Sequence, residues 1–243
     1  MKLKLQFFGG RGASSSSAAT TTTAPSGGGN WANMPFNWMS DTDAQALRDD
    51  MDDNYEPDVV SAIKLYISAA DANGDGFSYA QNLNYKLDNG KPLDPTEKYI
   101  DDFIGQGMHD IGQNANLFRA CHDDVLQACG ISDYSKMTES QLQSKLVGTT
   151  FKTKSYMSTS YDRKKSPFYH GNSSSGVSGG REVYMNIKAK GDTKVVFGAK
   201  KQAEMIINKG TNFRITGIHY DGSYATPRGK GSRPRVILDV ETY

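Results

Sequence analysis

Gln202 and Glu204 stand two apart between Phe197 and Ile207, after a glycine at 198 and ahead of Met205, Ile206 and Ile207. Taken as a turn entering a strand, this run puts both polar side chains on one face, since residues i and i+2 of extended backbone project together. An amide and a carboxylate aimed at one point suggest a site, although a solvated strand edge has the same pattern. Three other stretches carry residues that could join them. Arg119 closes the short apolar segment from Asn116 and reads either as a surface charge or as a guanidinium placed to grip phosphate in a forked geometry. Ser158 and Ser160 alternate with Thr159 in a strand-like run after Tyr156 and Met157, so the two serines share a face. Neither has the His–Asp pattern or GxSxG elbow of a nucleophile, and the functional reading is a hydroxyl that orients a carboxylate. Phe168 follows the basic turn Arg163, Lys164, Lys165 and is either core or a flat face for a planar heterocycle.

The elements that must position these residues fall in two blocks. Pro57 suits a first helical position, and Val59, Ile63, Tyr66, Ile67 and Ala70 follow on one 3.6-residue stripe. Pro95 opens a second such stripe through Tyr99, Ile100, Phe103 and Ile104. Thr138 and Gln141 form a capping box ahead of Leu142 and Leu146. From residue 150 the period becomes two. Val183, Met185, Ile187 and Ala189 alternate with Glu182, Tyr184, Asn186 and Lys188, Phe213 and Ile215 with Arg214 and Thr216, and Val236, Leu238 and Val240 with Ile237, Asp239 and Glu241. Helices first and strands later imply an α+β fold with mainly antiparallel sheet.

Composition bounds the rest. The chain has 243 residues and a net charge of +1, enough for one good core and without a global electrostatic pull toward nucleic acid or membrane. Residues 9–30 are low in complexity, with runs of Ser, Thr and Gly that cannot bury enough apolar surface to offset their entropy. The expected division is a tail over 1–40, with Trp31, Phe36 and Trp38 docking on a domain over 41–243. No apolar run approaches the roughly 18 residues of a spanning helix, and the start is too short and interrupted for a secretory signal. Cys121 and Cys129 make neither a CxxC site nor a disulfide framework, and His109, His122, His170 and His219 have no metal-ligand spacing, so no metal is expected. Asp71, Asn73, Asp75 and Gly76 match the opening of a calcium loop, but its twelfth position is Asn82, not Glu; a turn between helices is the better reading.

The order of these pieces, an Arg strand, a Ser-Thr-Ser strand with Phe168 eight residues on, then Gln-x-Glu before an apolar strand, resembles the mono-ADP-ribosyltransferase family in its bacterial exoenzyme branch. The likeness runs over about residues 58 to 241. Ala62 to Ser68, then Tyr79 and Asn82, are similar to the family's first NAD-contacting helices; Gly148 and Phe151 lead to the Ser-Thr-Ser strand, and Glu204 to Ile215 to the catalytic hairpin. The resemblance implies helices packed on a two-sheet, mainly antiparallel core. It implies NAD as substrate, Arg119 on its phosphates, Ser158, Thr159 and Ser160 along the NAD site, and Phe168 near the nicotinamide. Asn82 and Lys86 add phosphate contacts, Lys86 standing where the family often has Arg. Glu204 holds a ribose hydroxyl and stabilises an oxocarbenium-like centre, with Ser158 orienting it.

Gln202 replaces the glutamate of arginine-modifying members and faces the acceptor, so the expected acceptor is a protein side chain other than arginine, with NAD hydrolysis as a side activity. Transfer to DNA guanine is the rival enzymatic reading, its footing the basic turn and Arg228, Lys230, Arg233 and Arg235. A non-catalytic virion component is the third, because the opening twelve residues resemble leader segments of phage proteins of Gram-positive hosts. The expected location is a phage particle or the host cytoplasm, with virion proteins as further partners.

Overall fold

Pro57 opens helix α1 (Pro57–Ile67), where the missing N–H costs no helical bond. Helices α2 (Tyr79–Asn89) and α3 (Pro95–Gly107) each begin with a reciprocal capping box, Ser78 with Gln81 and Asp94 with Glu97. The computed structural model describes residues 46, 49, 54–68, 76–121, 124–162, 183–225 and 232–243. Trp31, Phe36, Trp38, Ala70, the calcium-loop-like residues 71–75, the basic turn at 163–165, Phe168, Arg228 and Lys230 lie outside them.

The three helices form one layer. Val59, Ala62, Ile63 and Tyr66 of α1, Leu83 of α2, and Ile100 and Ile104 of α3 share a buried cluster with Tyr156, Val196 and Ile206. The helical stripes read from the sequence are thus the faces that bury, with Ile67 left partly exposed at the end of α1. Helices α1 and α3 meet where α3 ends: a Cβ on Gly107 would lie 2.5 Å from Val59 Cγ1.

The strands are β1 (His109–Asp110), β2 (Ala115–Cys121), β3 (Thr150–Lys152), β4 (Met157–Ser160), β5 (Val183–Ala189), β6 (Lys194–Phe197), β7 (Glu204–Ile207), β8 (Asn212–Ala225) and β9 (Ser232–Thr242). Short helices α4 (Asp124–Ala128) and α5 (Glu139–Leu146) lie between β2 and β3, and Thr138 and Gln141 make the expected capping box of α5. Among the described residues the ladders are antiparallel except β5 with β9.

The expected pair of sheets is one hydrogen-bonded sheet in the order β1-β6-β7-β4-β2-β5-β9-β8-β3. Its two halves are joined through a single register pair, Phe118 with Ser160, whereas β2 and β5 pair along their whole length. Met157, Val195, Phe197, Met205 and Ile207 of the shorter half share one core with Leu117, Met185, Ile187, Leu238 and Val240 of the longer half. The sheet therefore folds over onto itself, and the sparse β2–β4 seam is where it turns. Alternation sets the two sides of β7: Met205 and Ile207 enter this core, while Ile206 faces the helices.

Candidate active site

The seam gathers residues from three distant parts of the chain. Ser160 is paired with Phe118 on one side and Glu204 on the other, so one row crosses β2, β4 and β7. Ser158 pairs with Ile206 and therefore projects from the same face as Glu204, toward the helical layer. Arg119, next to Phe118, donates from its guanidinium to the Ser158 carbonyl across the seam. Arg119, Ser158 and Glu204 are thus brought together, separated as they are by 39 residues in the first step.

Glu204 is only 7% exposed. Its Oε2 accepts the Ala199 N–H at 2.7 Å, and its backbone is fixed by Gly198 N–H to Glu204 C=O and Glu204 N–H to Ala199 C=O bonds. The carboxylate so lies back over the turn that precedes it.

That turn corrects one expectation. Gln202 is not in extended backbone two residues before Glu204. It ends a 3₁₀ turn (Lys200–Gln202), and Ala203 follows in the left-handed region at φ 48°, ψ 42°. The same-face rule of strands fails because two residues here have non-extended dihedrals. Ser160 Oγ holds the turn by donating to the Gln202 carbonyl at 2.8 Å, and Asp162 C=O also lies 2.8 Å from it. Thr159 Oγ1 donates to Met205 C=O in the interior. Of the three hydroxyls of this strand, those of Thr159 and Ser160 tie β4 to β7 and its turn, and that of Ser158 makes neither tie.

Two residues given no individual role from the sequence complete the helical side. Tyr66 of α1 is 2% exposed, its hydroxyl accepts Asn84 Nδ2 at 3.0 Å, and the Ser158 side chain lies near enough to favour its ionised form. Burial pushes the phenol up to about 12, against the lowering effect of Asn84 and Ser158; the Glu204 and Arg119 charges act on it with opposite signs. Tyr66 is therefore a neutral hydroxyl between the helix layer and the seam. Asn84 is anchored in turn, its amide exchanging bonds with the Tyr156 N–H and C=O at 3.2 Å each. A polar residue between Leu83 and Leu87 on the buried side of a helix is the signal that could have singled out Asn84.

The remaining expected residues are spread more widely. Asn82 is half-buried on α2. Lys86, on the same helix, places its ammonium 2.6 Å from Glu97 and 3.4 Å from Asp94, and those carboxylates hold its pKa up. It is thereby committed to pinning α2 to the start of α3. Among the described residues no group of three or more His, Cys, Asp or Glu is placed to hold a metal ion, and no helix is long and apolar enough to cross a membrane.

A guanidinium, a carboxylate and two hydroxyls at one seam can bind an anionic group at one end and steady a cationic centre at the other. A family described as ADP-ribosyltransferase exoenzyme matches the chain over residues 45–240. No curated protein matches it by sequence. Among solved structures it is similar to the enzymatic component C2-I of the Clostridium botulinum C2 toxin, at 15% identity and TM-score 0.60, over 84% of this chain and 48% of that one. It is also similar to Plx2a, an ADP-ribosyltransferase toxin of Paenibacillus larvae, at 14% identity and TM-score 0.60, over 85% and 98%. A third is the ADP-ribosylating toxin BECa of a Clostridium perfringens binary enterotoxin, solved with NADH, at 14% identity and TM-score 0.57, over 83% and 48%. The chain thus spans about half the length of C2-I and BECa and nearly all of Plx2a.

Proposed function

The chain belongs to the ADP-ribosyltransferase exoenzymes, which use NAD as substrate, and from that premise we propose that it transfers ADP-ribose to a host protein side chain other than arginine, in the host cytoplasm. The observation that carries this is the seam, where the Arg119 guanidinium reaches the Ser158 carbonyl and a buried, backbone-held Glu204 shares the face of Ser158.

In the reaction proposed, the bond between the nicotinamide nitrogen and the ribose C1′ breaks, and nicotinamide leaves with the electron pair. Positive charge develops at C1′ and the ring oxygen, as in glycoside hydrolysis. Glu204 supplies a negative charge that needs no reorganisation, because burial and the Ala199 N–H already fix it. Arg119 takes the pyrophosphate, and Ser158, steadied by Tyr66, lines the ribose. The acceptor side chain attacks C1′ and gives up a proton to solvent; water in its place yields free ADP-ribose. Gln202, next to the carboxylate on the turn, offers an amide rather than a charge to the acceptor, which suits another amide better than a guanidinium.

The test is incubation with labelled NAD, with and without host lysate, for the wild type and Glu204→Ala. Label moved to a protease-sensitive product by the wild type alone is the expected result. A nuclease-sensitive product would shift the acceptor to nucleic acid. Wild type with neither NAD turnover nor NAD binding would sink the reading.

A further inference from the structure

A glutamate at the start of a strand ordinarily samples several rotamers, and each orientation away from the reacting centre dilutes its field. We infer that Gly198 and the Ala199 N–H form a slot that positions the Glu204 carboxylate, which makes Gly198 a positioning residue of this site. The inference rests on the transferase reading only for its consequence in turnover.

Three observations build the slot. A Cβ placed on Gly198 would lie 2.3 Å from Glu204 Oε2, 2.7 Å from Cδ and 2.9 Å from Cγ. The outer half of the glutamate therefore occupies the volume that a side chain at 198 would fill. Gly198 is not among the glycines of positive φ, so its backbone suits any residue, and the three nearest atoms that a side chain there would meet all belong to Glu204. At the floor of the slot the Ala199 N–H meets Oε2 at 2.7 Å, a charge-assisted bond.

The turn makes this fit possible. Ala203, at positive φ, swings the chain so that Glu204 starts β7 while its side chain runs back over residues five and six earlier. A left-handed alanine is strained, because its Cβ crowds the backbone. Here its methyl is fully buried in the core shared by the two sheet halves, which holds the conformation in place. The Gly198–Glu204, Gln202–Ala199, Ala203–Lys200 and Glu204–Ala199 backbone bonds, with Ser160 Oγ on Gln202, close the turn on itself. Slot and carboxylate are one rigid unit.

The experiment is a cycle of four proteins: wild type, Gly198→Ala, Glu204→Ala and the double variant, each measured for unfolding midpoint and for kcat and KM toward NAD. A methyl at 198 expels the carboxylate, which can swing away because it is the end of a flexible side chain. Kcat should fall on the order of 10²-fold, the scale for a misplaced catalytic group, with KM for NAD within about threefold. In unfolding, the methyl should cost stability while Glu204 is present. In the Glu204→Ala background it should be neutral or stabilising, since the space is empty and alanine lowers the entropy of the unfolded chain. The same midpoint change in both backgrounds overturns the slot. So does coupling in the midpoint with an unchanged kcat, which would leave a packing contact without a positioning role. Absence of NAD turnover in the wild type defeats the transferase reading instead, and the unfolding cycle still decides the slot by itself.

Discussion

At the scale of single residues, the site is distinguished by which hydroxyls and amides are occupied. Ser160 and Thr159 bond to backbone carbonyls, whereas Ser158 faces Tyr66 and the helical layer. Gln202 commits its backbone carbonyl to Ser160 and carries a half-buried side chain on the turn. Gln202→Glu should lower transfer to the native protein target by about 10–100-fold, the scale of a recognition group left unpaired, while NAD hydrolysis changes by less than about threefold. Parallel assays of labelled protein and free ADP-ribose check this; equal losses would place Gln202 in the NAD step. Glu204, Gln202, Ser158 and Arg119 were legible as candidates because chemistry-bearing residue types recur in a recognisable order, and the fold brings Arg119, Ser158 and Glu204 to one seam. Tyr66 and Asn84 were not. A tyrosine on an apolar stripe has the same spacing whether its hydroxyl ends in solvent, in the core or at a seam.

At the scale of elements, two contacts decide how the helical layer and the outer strands carry the site. Lys86 of α2 is paired with Glu97 of α3, which is 1% exposed on its side chain. Removing the cation leaves a buried carboxylate with its capping N–H alone. Lys86→Met should therefore destabilise by about 3 kcal/mol, toward the low end for a broken buried pair, as read by urea unfolding. A raised KM for NAD with unchanged stability would instead return Lys86 to phosphate binding. His109 of β1 lies between Tyr55 and Phe197, with ring centroids at 6.2 and 5.9 Å, just ahead of Gly198. Burial holds its pKa below the usual value, helped by Lys194 and opposed by the Gly107 carbonyl and Asp110. The unfolded chain then binds more protons than the folded one between the two pKa values. Stability contributed here is full above about pH 6.5 and declines as the pH falls below it. Urea midpoints across pH 5 to 8 should drop on the acid side for the wild type and flatten for His109→Phe. An unchanged acid slope in the variant would assign the loss to other groups.

At the scale of the whole molecule, one sheet bends at a nearly unpaired seam, and its last strand is structurally central. Strand β9 lies between β5 and β8 and is bonded to both, with Val236, Leu238 and Val240 in the shared core. Ending the chain at residue 234 should abolish cooperative unfolding seen by calorimetry, since two ladders and a layer of core are lost together; a retained transition would contradict that placement. Local patterns in the sequence determined the α+β class, the helix starts at Pro57 and Pro95, the capping box of α5 and the apolar faces of β5, β8 and β9. These depend on residues within one turn or one pleat of each other, where dihedral preference and burial act directly. Only the tertiary structure decided that the expected two sheets are one, that Gln202 leaves the strand face, that Lys86 belongs to Glu97, and that Gly198 gives its side-chain volume to Glu204. Each of those outcomes is set by space and partners supplied from segments far apart in the chain. A left-handed Ala203 is tolerable only once its methyl is buried, and a carboxylate can lie in a slot only where the fold has left one.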